Sequence, residues 1–426
     1  MLDIKFIREN PKEVQKAAKN KGGDVDIEKI IAVDLNYRKA IYDIQNIHED
    51  INSLNKKING RPTEEQLKSA GQWKKDLRDK EKSARDFEEE LRRLLLQIPN
   101  LPLKDVPIGD KSKNKIIKKV GTPKKFDFTP YDHLELGETL DIIDVKRAAK
   151  VSGTRFGYLK NEAVLLEFAI VQFVLEKLTK EGFTPIVPPT LIRKEITERL
   201  GYWHGSKDGI TNNEEYYWLK DPKENQEMYL VGTAEHSVVP IHKDETFNEK
   251  ELPKRYIAFS SAFRREAGSY GKDTRGIFRV HQFDKLEMVS FVKPEDDEKE
   301  RKKLLSLAQD LVLELGFSYQ LVRLATQDIS FPVAETIDIE TWIPSQNKYR
   351  ETHSISTTTD FQARRLNIKY QEADKKNYVH ILNGTAFAIG RTIIAILENY
   401  QQKDGSVEIP KVLQKYVGKT SIKPQK

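Results

Sequence analysis

Two long heptad patterns near the start of the chain constrain its fold more than any other feature. From Ile30 onward, apolar residues recur at alternating steps of three and four: Ile30, Val33, Tyr37, Ala40, Ile44, Ile47, Ile51, Leu54 and Ile58. A second pattern of the same kind passes through Ala70, Trp73, Leu77, Lys80, Ala84, Phe87, Leu91, Leu94 and Ile98. Each spacing is typical of one long helix with a single apolar seam. Together they predict an antiparallel two-helix hairpin over about residues 27–98.

The residues between the two patterns, NGRPT at 59–63, carry the signals of a turn. Gly60 can end a helix, and Thr63 followed by Gln66 resembles a capping box at the start of the next one. At ~1.5 Å per residue each helix would be about 40 Å long, more than packing in a globular body requires. Around the turn, residues 53–85 hold ten Lys and Arg against five Asp and Glu. A positive, exposed tip predicts a nucleic-acid backbone as partner; the alternative is a solvated coiled coil with ordinary surface lysines.

Composition excludes several classes of protein. The chain has 426 residues, enough for two or three domains. It has no cysteine, which excludes disulfides, thiolate zinc sites and a catalytic thiol. Its start lacks the apolar core of a secretory signal, and no segment approaches the ~18 apolar residues of a membrane span. Neither a P-loop nor a Rossmann fingerprint occurs. We expect a cytoplasmic protein that does not enter a membrane.

Beyond about residue 130 the patterns of helices and strands are mixed. Residues 161–181 are typical of a helix with a broad apolar face, and FTPIV at 183–187 predicts a strand after it. TIDIETWI at 336–343 alternates in the manner of another strand. The run KSKNKIIKKVGTPKK at 111–125, with seven lysines, is predicted to link the helical hairpin to this second part. The chain is therefore expected to be an α+β protein.

The stretch FRREAGSYGKDTRGIFRVHQFDKLE at 263–287 combines arginines, glutamates and a glycine-rich basic loop. Both flanks have the two-residue period of strands, which predicts an antiparallel hairpin around a long loop at 267–278 that contains Lys272 and Arg275. One face of the hairpin would bring Arg264 and Glu266 to Phe283 and Glu287. A guanidinium suits a carboxylate or phosphate, and an aromatic ring suits a base. The alternative is a ladder of paired surface charges.

This stretch resembles motif 2 of the class II aminoacyl-tRNA synthetases, and the seryl-tRNA synthetases in particular. Other segments that resemble the same family follow in its order: MLDIKFIRENPKEV, the helical hairpin, GFTPIVPP, VGTAE, WIPSQNKYRE, DFQARR and LNGTAFAIGRTIIAILENYQ. Motifs 1, 2 and 3 would lie at about 162–189, 259–288 and 383–400. The resemblance spans essentially the whole chain. It implies an N-terminal tRNA-binding domain at 1–108 and, at 109–426, a catalytic domain built on an antiparallel sheet flanked by helices.

The resemblance implies that the chain joins L-serine to tRNA(Ser) through a seryl-adenylate, with ATP and Mg²⁺. It implies a homodimer, with residues 162–189 as the candidate dimer face, and an arm that contacts tRNA; it leaves open whether tRNA(Sec) is also charged. Two alternatives remain at this stage. One is a class II-like ligase that charges a different acceptor, and the other is a non-catalytic, nucleic-acid-binding homologue.

The resemblance also assigns roles to residues at the ATP. Arg264 and Arg391 are the expected catalytic residues: Arg264 would hold the substrate carboxylate and the α-phosphate, and Arg391 the triphosphate, unless it pairs within a buried helix end. Glu266 would contact adenine and Phe283 would stack on it. The full ATP-binding set is Arg264, Arg265, Glu266, Val280, Phe283, Glu351, Thr352, His353, Ser354 and Arg391. Because Val280 lies on the opposite strand face, it would act through backbone groups.

The expected serine-binding set is Thr233, Ala234, Glu235, Arg264, Glu287 and Thr385. Glu287 and Thr385 would bind the serine hydroxyl, while Thr233 and Glu235 would contact its amino end; the alternative for the latter two is a helix N-cap with an acid in the first turn. Glu351 and Ser354 would hold Mg²⁺, whose preferred ligands are oxygens. Since a regular strand places residues three apart on opposite faces, a bulge or strand end must bring this pair together. His353 stands where the family usually has serine, and a histidine there is more often structural.

Overall fold

The computed structural model describes residues 1–58, 60–202, 215–220, 227–266 and 275–424. The chain forms two compact units, Met1–Leu101 and Pro102–Lys426. The sequence placed the boundary at 108/109. The second unit begins at Pro102 and therefore also includes the segment at 102–108, which precedes the basic run. Among the described residues, no helix is long and apolar enough to cross a membrane.

The first unit is a helical hairpin with two short helices before it. Its helices are α1 (Ile4–Glu9), α2 (Pro11–Asn20), α3 (Ile27–Lys57) and α4 (Glu64–Leu95). The helix α4 starts with the predicted capping box, in which Thr63 and Gln66 each accept a hydrogen bond from the other's backbone N–H. Lys80, the one charged member of the two seams, forms an ion pair across the hairpin, with 2.6 Å between its Nζ and Asp43 Oδ2. The predicted helical hairpin is therefore confirmed.

The second unit contains nine helices and eighteen strands in its described part. The helices are α5 (His133–Thr139), α6 (Val145–Ser152), α7 (Asn161–Lys180), α8 (Lys194–Leu200), α9 (Glu235–Val238), α10 (Asp297–Glu314), α11 (Phe361–Leu366), α12 (Ile389–Tyr400) and α13 (Lys411–Val417). The strands are β1 (Lys115–Val120), β2 (Ile143–Asp144), β3 (Tyr158–Leu159), β4 (Thr184–Ile186), β5 (Leu191–Arg193), β6 (Trp218–Lys220), β7 (Glu227–Leu230), β8 (Thr246–Asn248), β9 (Lys254–Phe263), β10 (Gln282–Val292), β11 (Tyr319–Arg323), β12 (Glu335–Ile343), β13 (Lys348–Thr359), β14 (Lys369–Glu372), β15 (Lys375–Tyr378), β16 (His380–Ala388), β17 (Val407–Glu408) and β18 (Ser421–Ile422).

A largely antiparallel sheet of eight strands organises this unit. Its order is β1-β11-β12-β13-β16-β10-β9-β4, and only the β4–β9 pair is parallel. Helices α7, α10 and α12 bury their apolar residues in one large cluster with the sheet, represented by Ile170, Leu311 and Ile393. The expected α+β fold is confirmed, and the sheet brings motif 2 (β9 and β10) next to motif 3 (β16 and α12).

The sequence suggested that the basic run at 111–125 is a linker, but part of this run forms a strand. Residues Lys115–Val120 form the edge strand β1, which pairs with β11 alone. The side chains of β1 are largely exposed, and lysines are common on edge strands, so this strand can contain several of them.

The hairpin of motif 2 is shorter than its alternating pattern predicts. Strand β9 ends at Phe263, before Arg264 and Glu266, and β10 begins at Gln282, after Arg279 and Val280. One more ladder-like bond, from the N–H of Arg264 to the carbonyl of His281, follows at 3.0 Å, and then the N–H of Arg265 bonds the carbonyl of Glu215 instead. Glu266 has a φ of 52°, which turns the chain out of the sheet. Lys272, in the predicted loop, lies outside the described residues.

Candidate active site

A polar cavity of about 430 Å³ lies over one face of the central strands β10, β12, β13 and β16. Twelve of the expected site residues line it: Thr233, Glu235, Arg264, Glu266, Val280, Phe283, Glu287, Glu351, Thr352, Ser354, Thr385 and Arg391. They come from five separate stretches of the chain. The antiparallel sheet brings these stretches together because β10 pairs with both β9 and β16, and β13 pairs with β16 and β12.

Three expected residues do not line this cavity. Ala234 is fully buried in the core. The side chain of Arg265 is exposed. His353 is buried, with its ring centroid 5.1 Å from that of Phe387 and its Nδ1 2.8 Å from Thr352 Oγ1. Burial lowers the pKa of His353 to about 3, so the ring is neutral near pH 7. These features match the structural role that is more usual for a lone histidine.

Glu287 and Thr385 line the cavity and face each other across the strands β10 and β16. The pairing of β10 with β16 shifts by one residue after Leu286, which places Glu287 opposite Thr385. Thr385 Oγ1 donates to Glu287 Oε2 at 3.3 Å, and Lys285 Nζ lies 2.6 Å from the same oxygen. All three side chains are nearly buried. A hydroxyl, a carboxylate and an ammonium group therefore converge on a small polar pocket.

Glu235 lies beside this pocket, in the first turn of α9. It is 3% exposed, and its carboxylate accepts hydrogen bonds from Tyr202 Oη at 2.9 and 3.0 Å and from Gln362 Nε2 at 3.1 Å. Burial, followed by the charge of Glu287, raises the pKa of Glu235 to about 7. Thr233 does not cap α9 with its side chain, and its buried Oγ1 has no hydrogen-bond partner among the described residues. An unsatisfied hydroxyl and a buried acid at the cavity wall favour a ligand-binding role over helix capping.

Arg264 also lines the cavity, and its charge acts on both Lys285 and Glu351. Its Nε donates to the carbonyl of Gly232 at 3.0 Å, and its guanidinium carbon is 5.4 Å from the centroid of the Phe283 ring. Two residues further along the chain, Glu266 places its Oε2 3.5 Å from Arg279 Nη1. A fixed guanidinium and a neighbouring aromatic ring can hold a phosphate or carboxylate next to a stacked base.

Arg391 lines the cavity from the first turn of α12. Its Nη1 contacts both the carbonyl oxygen of Glu351, at 2.9 Å, and Oε1 of the same residue, at 3.1 Å. The buried ring of Phe278 lies between Arg391 and Arg350, with their guanidinium carbons at 4.9 and 4.2 Å from its centroid. This stacking restricts the guanidinium of Arg391 in a position suited to an anionic ligand.

The predicted irregularity between Glu351 and Ser354 is present. The register of β12 with β13 pairs Ile339 with His353 but Glu340 with Glu351, so Thr352 is an extra residue. As a result Glu351, Thr352 and Ser354 all reach the cavity. Half of the Glu351 side chain is exposed, and partial removal of its carboxylate from water opposes ionisation. The positive charges of Arg391 and Arg264 have the larger effect and hold the pKa of Glu351 below its usual value.

Asp338 on β12 is a cavity residue that the sequence reasoning did not identify. It pairs with Ser354 in the sheet and is 7% exposed, and its Oδ1 has no hydrogen-bond partner among the described residues. A buried carboxylate oxygen without a donor, close to Glu351 and Ser354, fits the oxygen ligands that a divalent cation requires.

Other residues at the site also escaped the sequence reasoning: Tyr202, Lys285, Phe278, Arg350 and Gln362. Two of them could have been found from patterns already noted. Lys285 lies two residues before Glu287 on the same strand face, and Gln362 belongs to the DFQARR segment. No signal in the sequence connects Tyr202 to Glu235, because α8 and α9 meet only through tertiary packing.

Comparisons with known proteins match both units. The "Seryl-tRNA synthetase N-terminal domain" family matches residues 1–102, and the "tRNA synthetase class II core domain (G, H, P, S and T)" matches residues 217–400. A serine–tRNA ligase of Thermodesulfovibrio yellowstonii is 40% identical over 429 residues, covering 98% of this chain and 99% of the relative. One from a Sulfurihydrogenibium species is 48% identical over 335 residues, covering 78% of each.

Solved structures agree with these relatives. The seryl-tRNA synthetase from Pyrococcus horikoshii, complexed with ATP, superposes with a TM-score of 0.91 at 36% identity and covers 100% of both chains. The cytoplasmic serine–tRNA ligase from Naegleria fowleri, in complex with AMP, superposes with a TM-score of 0.89 at 30% identity, covering 100% of this chain and 99% of that one.

The antiparallel sheet, its cavity and the core match define a class II aminoacyl-tRNA synthetase. Together with the N-terminal match and the relatives that extend over nearly the whole chain, they show that the chain belongs to the seryl-tRNA synthetase family. The two alternatives, a ligase with a different acceptor and a non-catalytic homologue, are not favoured by these comparisons.

Proposed function

We propose that the chain activates L-serine with ATP and transfers the seryl group to tRNA(Ser). The observation that carries this proposal is the set of groups gathered in one cavity. The cavity is lined by a carboxylate and a hydroxyl suited to a small hydroxyl-bearing substrate (Glu287 and Thr385) and by an arginine suited to a triphosphate (Arg391). It is also lined by Arg264, whose charge acts on both Lys285 and Glu351.

In the first step, a carboxylate oxygen of serine attacks the α-phosphorus of ATP and pyrophosphate leaves, which gives seryl-adenylate. Arg264 touches both reactants, and aligning them for in-line attack supplies much of the rate enhancement available without a covalent enzyme intermediate. Phe283 stacks on the adenine and Glu266 bonds it. Arg391 binds the outgoing phosphates. In the second step, a terminal ribose hydroxyl of the tRNA attacks the seryl carbonyl carbon and AMP leaves.

Serine would be selected by its hydroxyl and its ammonium group. The hydroxyl bonds Glu287 and Thr385, and the ammonium group bonds Glu235 and Thr233. A site built to hydrogen-bond a substrate hydroxyl can reject the analogue that lacks it by ~10⁴ or more, because its buried polar groups would remain unpaired. Alanine is therefore rejected at binding.

Glu351 and Ser354 would hold Mg²⁺, and Asp338 adds a further carboxylate to that wall of the cavity. When bound, Mg²⁺ would neutralise negative charge on the phosphates. These residues place three oxygen-bearing side chains on one surface. The bulge at Thr352 brings Glu351 and Ser354 to that surface, and strand pairing places Asp338 opposite Ser354.

The helices α3 and α4 would bind the tRNA, and their positive tip supports an interaction with its backbone. A homodimer is proposed through residues 162–189, where Phe168 is 55% exposed and Val187 is 78% exposed. Charging of tRNA(Sec) and a cytoplasmic location are extensions of the same proposal, since translation uses the product there.

Serine-dependent exchange between ATP and labelled pyrophosphate tests the first step. We expect exchange with L-serine and a far lower rate with L-alanine, glycine or L-threonine. Absence of serine-dependent exchange in a folded, pure preparation would refute the proposed function. Charging of tRNA(Ser) and tRNA(Sec) transcripts then tests the second step and the range of acceptors.

A further inference from the structure

Glu235 is held by two side chains that reach it from different helices. Tyr202, just after the end of α8, places its hydroxyl 2.9 and 3.0 Å from the two carboxylate oxygens. Gln362 on α11 places its Nε2 3.1 Å from Oε1. The carboxylate of Glu235 thus accepts hydrogen bonds at both oxygens while it lines the cavity.

The two donors are themselves fixed. Gln362 is fully buried; its Nε2 also contacts the carbonyl of Leu200, and its Oε1 accepts from Thr358 Oγ1 at 3.2 Å. The Tyr202 ring lies 4.7 Å from the ring of His236. Burial, followed by the charge of Glu235, raises the pKa of Tyr202 well above its usual value, so its hydroxyl keeps its proton and donates. Neither group can turn away from Glu235 without losing other contacts.

The surroundings of Glu235 make such support necessary. The titratable and charged groups that face it are Glu287 and Lys285 from β10, Arg264 after β9, Tyr202, Tyr216 and, on its own helix, His236. Burial, followed by Arg264 and Lys285, keeps the pKa of His236 well below its usual value, so this histidine is neutral. Burial and the negative charge of Glu287 both oppose ionisation of Glu235, whereas Gln362, Tyr202 and Lys285 favour it.

We propose that Tyr202 and Gln362 are positioning residues for Glu235, which hold its carboxylate oxygens in place to bind the α-ammonium group of serine. This inference rests on the proposed function, since it concerns how that same pocket recognises its substrate. Hydrogen bonds to an ionised carboxylate are stronger than those between neutral groups, so each donor favours the ionised form of Glu235, which then binds the cationic partner.

The test compares Tyr202→Phe and Gln362→Met with the parent chain in serine-dependent pyrophosphate exchange. In each variant we expect the KM for serine to rise by about tenfold, and the KM for ATP to change by less than about twofold. Ionised Glu235 binds the ammonium group, so kcat/KM for serine falls as the pH drops through about 7 in the parent chain. Loss of a donor to the carboxylate raises its pKa further, and this acid limb moves to higher pH in both variants.

Tyr319→Phe is the matched control, because it removes a hydroxyl that donates to Gln309 Oε1 at 3.0 Å, away from the cavity lining. We expect it to leave the acid limb and the KM for serine unchanged. Glycerate, which has a hydroxyl in place of the ammonium group, should inhibit the parent chain and Tyr202→Phe with similar inhibition constants. Thermal unfolding of each variant identifies any that fail to fold.

An unshifted acid limb with an unchanged KM for serine in Tyr202→Phe would overturn the inference. So would an equal loss of affinity for glycerate and serine, which would indicate general disruption of the pocket. Either result, obtained while the parent chain shows serine-dependent exchange, leaves the proposed function intact. Absence of exchange in the parent chain would instead refute the proposed function itself.

Discussion

Thr385 and Glu287 lie directly opposite each other on β16 and β10, with Thr385 Oγ1 donating to Glu287 Oε2 at 3.3 Å. The register shift after Leu286 is what creates this pair. Because both side chains are nearly buried and held by their mutual hydrogen bond, the pair offers fixed polar atoms for the hydroxyl of a small substrate.

Thr385→Val should therefore weaken discrimination between serine and alanine. Valine preserves the volume but removes the hydroxyl, so we expect kcat/KM for serine to fall by about 10²-fold in pyrophosphate exchange, while the low value for alanine changes little. Thr197→Val is the control, since Thr197 is fully buried in α8 and bonds only the carbonyl of Lys194 among the contacts described. Equal effects of the two variants would contradict a role of Thr385 in substrate selection.

Arg264→Ala should abolish serine-dependent exchange. The guanidinium, held by the carbonyl of Gly232 and lying near Phe283, is proposed to contact both reacting groups, so its loss removes their alignment and is expected to lower kcat/KM by at least ~10³-fold. Arg264→Lys should recover little, because an ammonium group cannot contact two ligands in the same planar geometry. Near-normal exchange in Arg264→Ala would overturn the assignment of this residue.

Asp338→Asn should reduce the affinity for a divalent cation without unfolding the protein. The substitution is isosteric and replaces a buried carboxyl group whose Oδ1 has no partner among the described residues. Burial and the charge of Glu351 raise the pKa of this carboxyl group well above its usual value. We expect Mn²⁺ binding in the presence of a non-hydrolysable ATP analogue, measured by electron paramagnetic resonance, to weaken by about tenfold. Asp297→Asn is the control, because Asp297 is an equally buried aspartate on α10 that does not line the cavity. Unchanged Mn²⁺ affinity in Asp338→Asn would exclude this carboxylate from the cation site.

Neutralising the tip of the helical hairpin should impair tRNA charging and leave amino-acid activation intact. Lys56, Lys57, Lys68, Lys74 and Lys75 are exposed, so their replacement by glutamine leaves the hairpin seam untouched. We expect the KM for tRNA(Ser) to rise by at least about tenfold and its salt dependence to become weaker, because fewer phosphates are neutralised. Deletion of about residues 30–98 should have the same effect more strongly. Undiminished charging in either variant would show that the tip does not contact tRNA.

The hydrophobic periodicity was sufficient to predict the hairpin, since each seam follows from local spacing and the turn from glycine, proline and a capping pair. By resemblance, the motif segments identified twelve of the residues that line the cavity. The local pattern was a less reliable guide to strand ends, where contacts with other segments of the chain decide the structure. The alternation around Arg264 and Glu266 predicted that the strand continues through these residues. In the structure the strand ends before them, because Arg265 bonds Glu215 and Glu266 adopts a positive φ.

The sequence by itself determined the helical hairpin, the α+β character of the second unit and the chemical types of residue available for binding. Tertiary structure alone decided which of them meet. The shift after Leu286 sets Glu287 against Thr385, and the bulge at Thr352 directs Glu351 and Ser354 to one surface. Packing of α8 and α11 brings Tyr202 and Gln362 to Glu235, and pairing of β12 with β13 brings Asp338 to Ser354. Such contacts depend on register and packing between segments far apart in the chain, which local spacing does not specify.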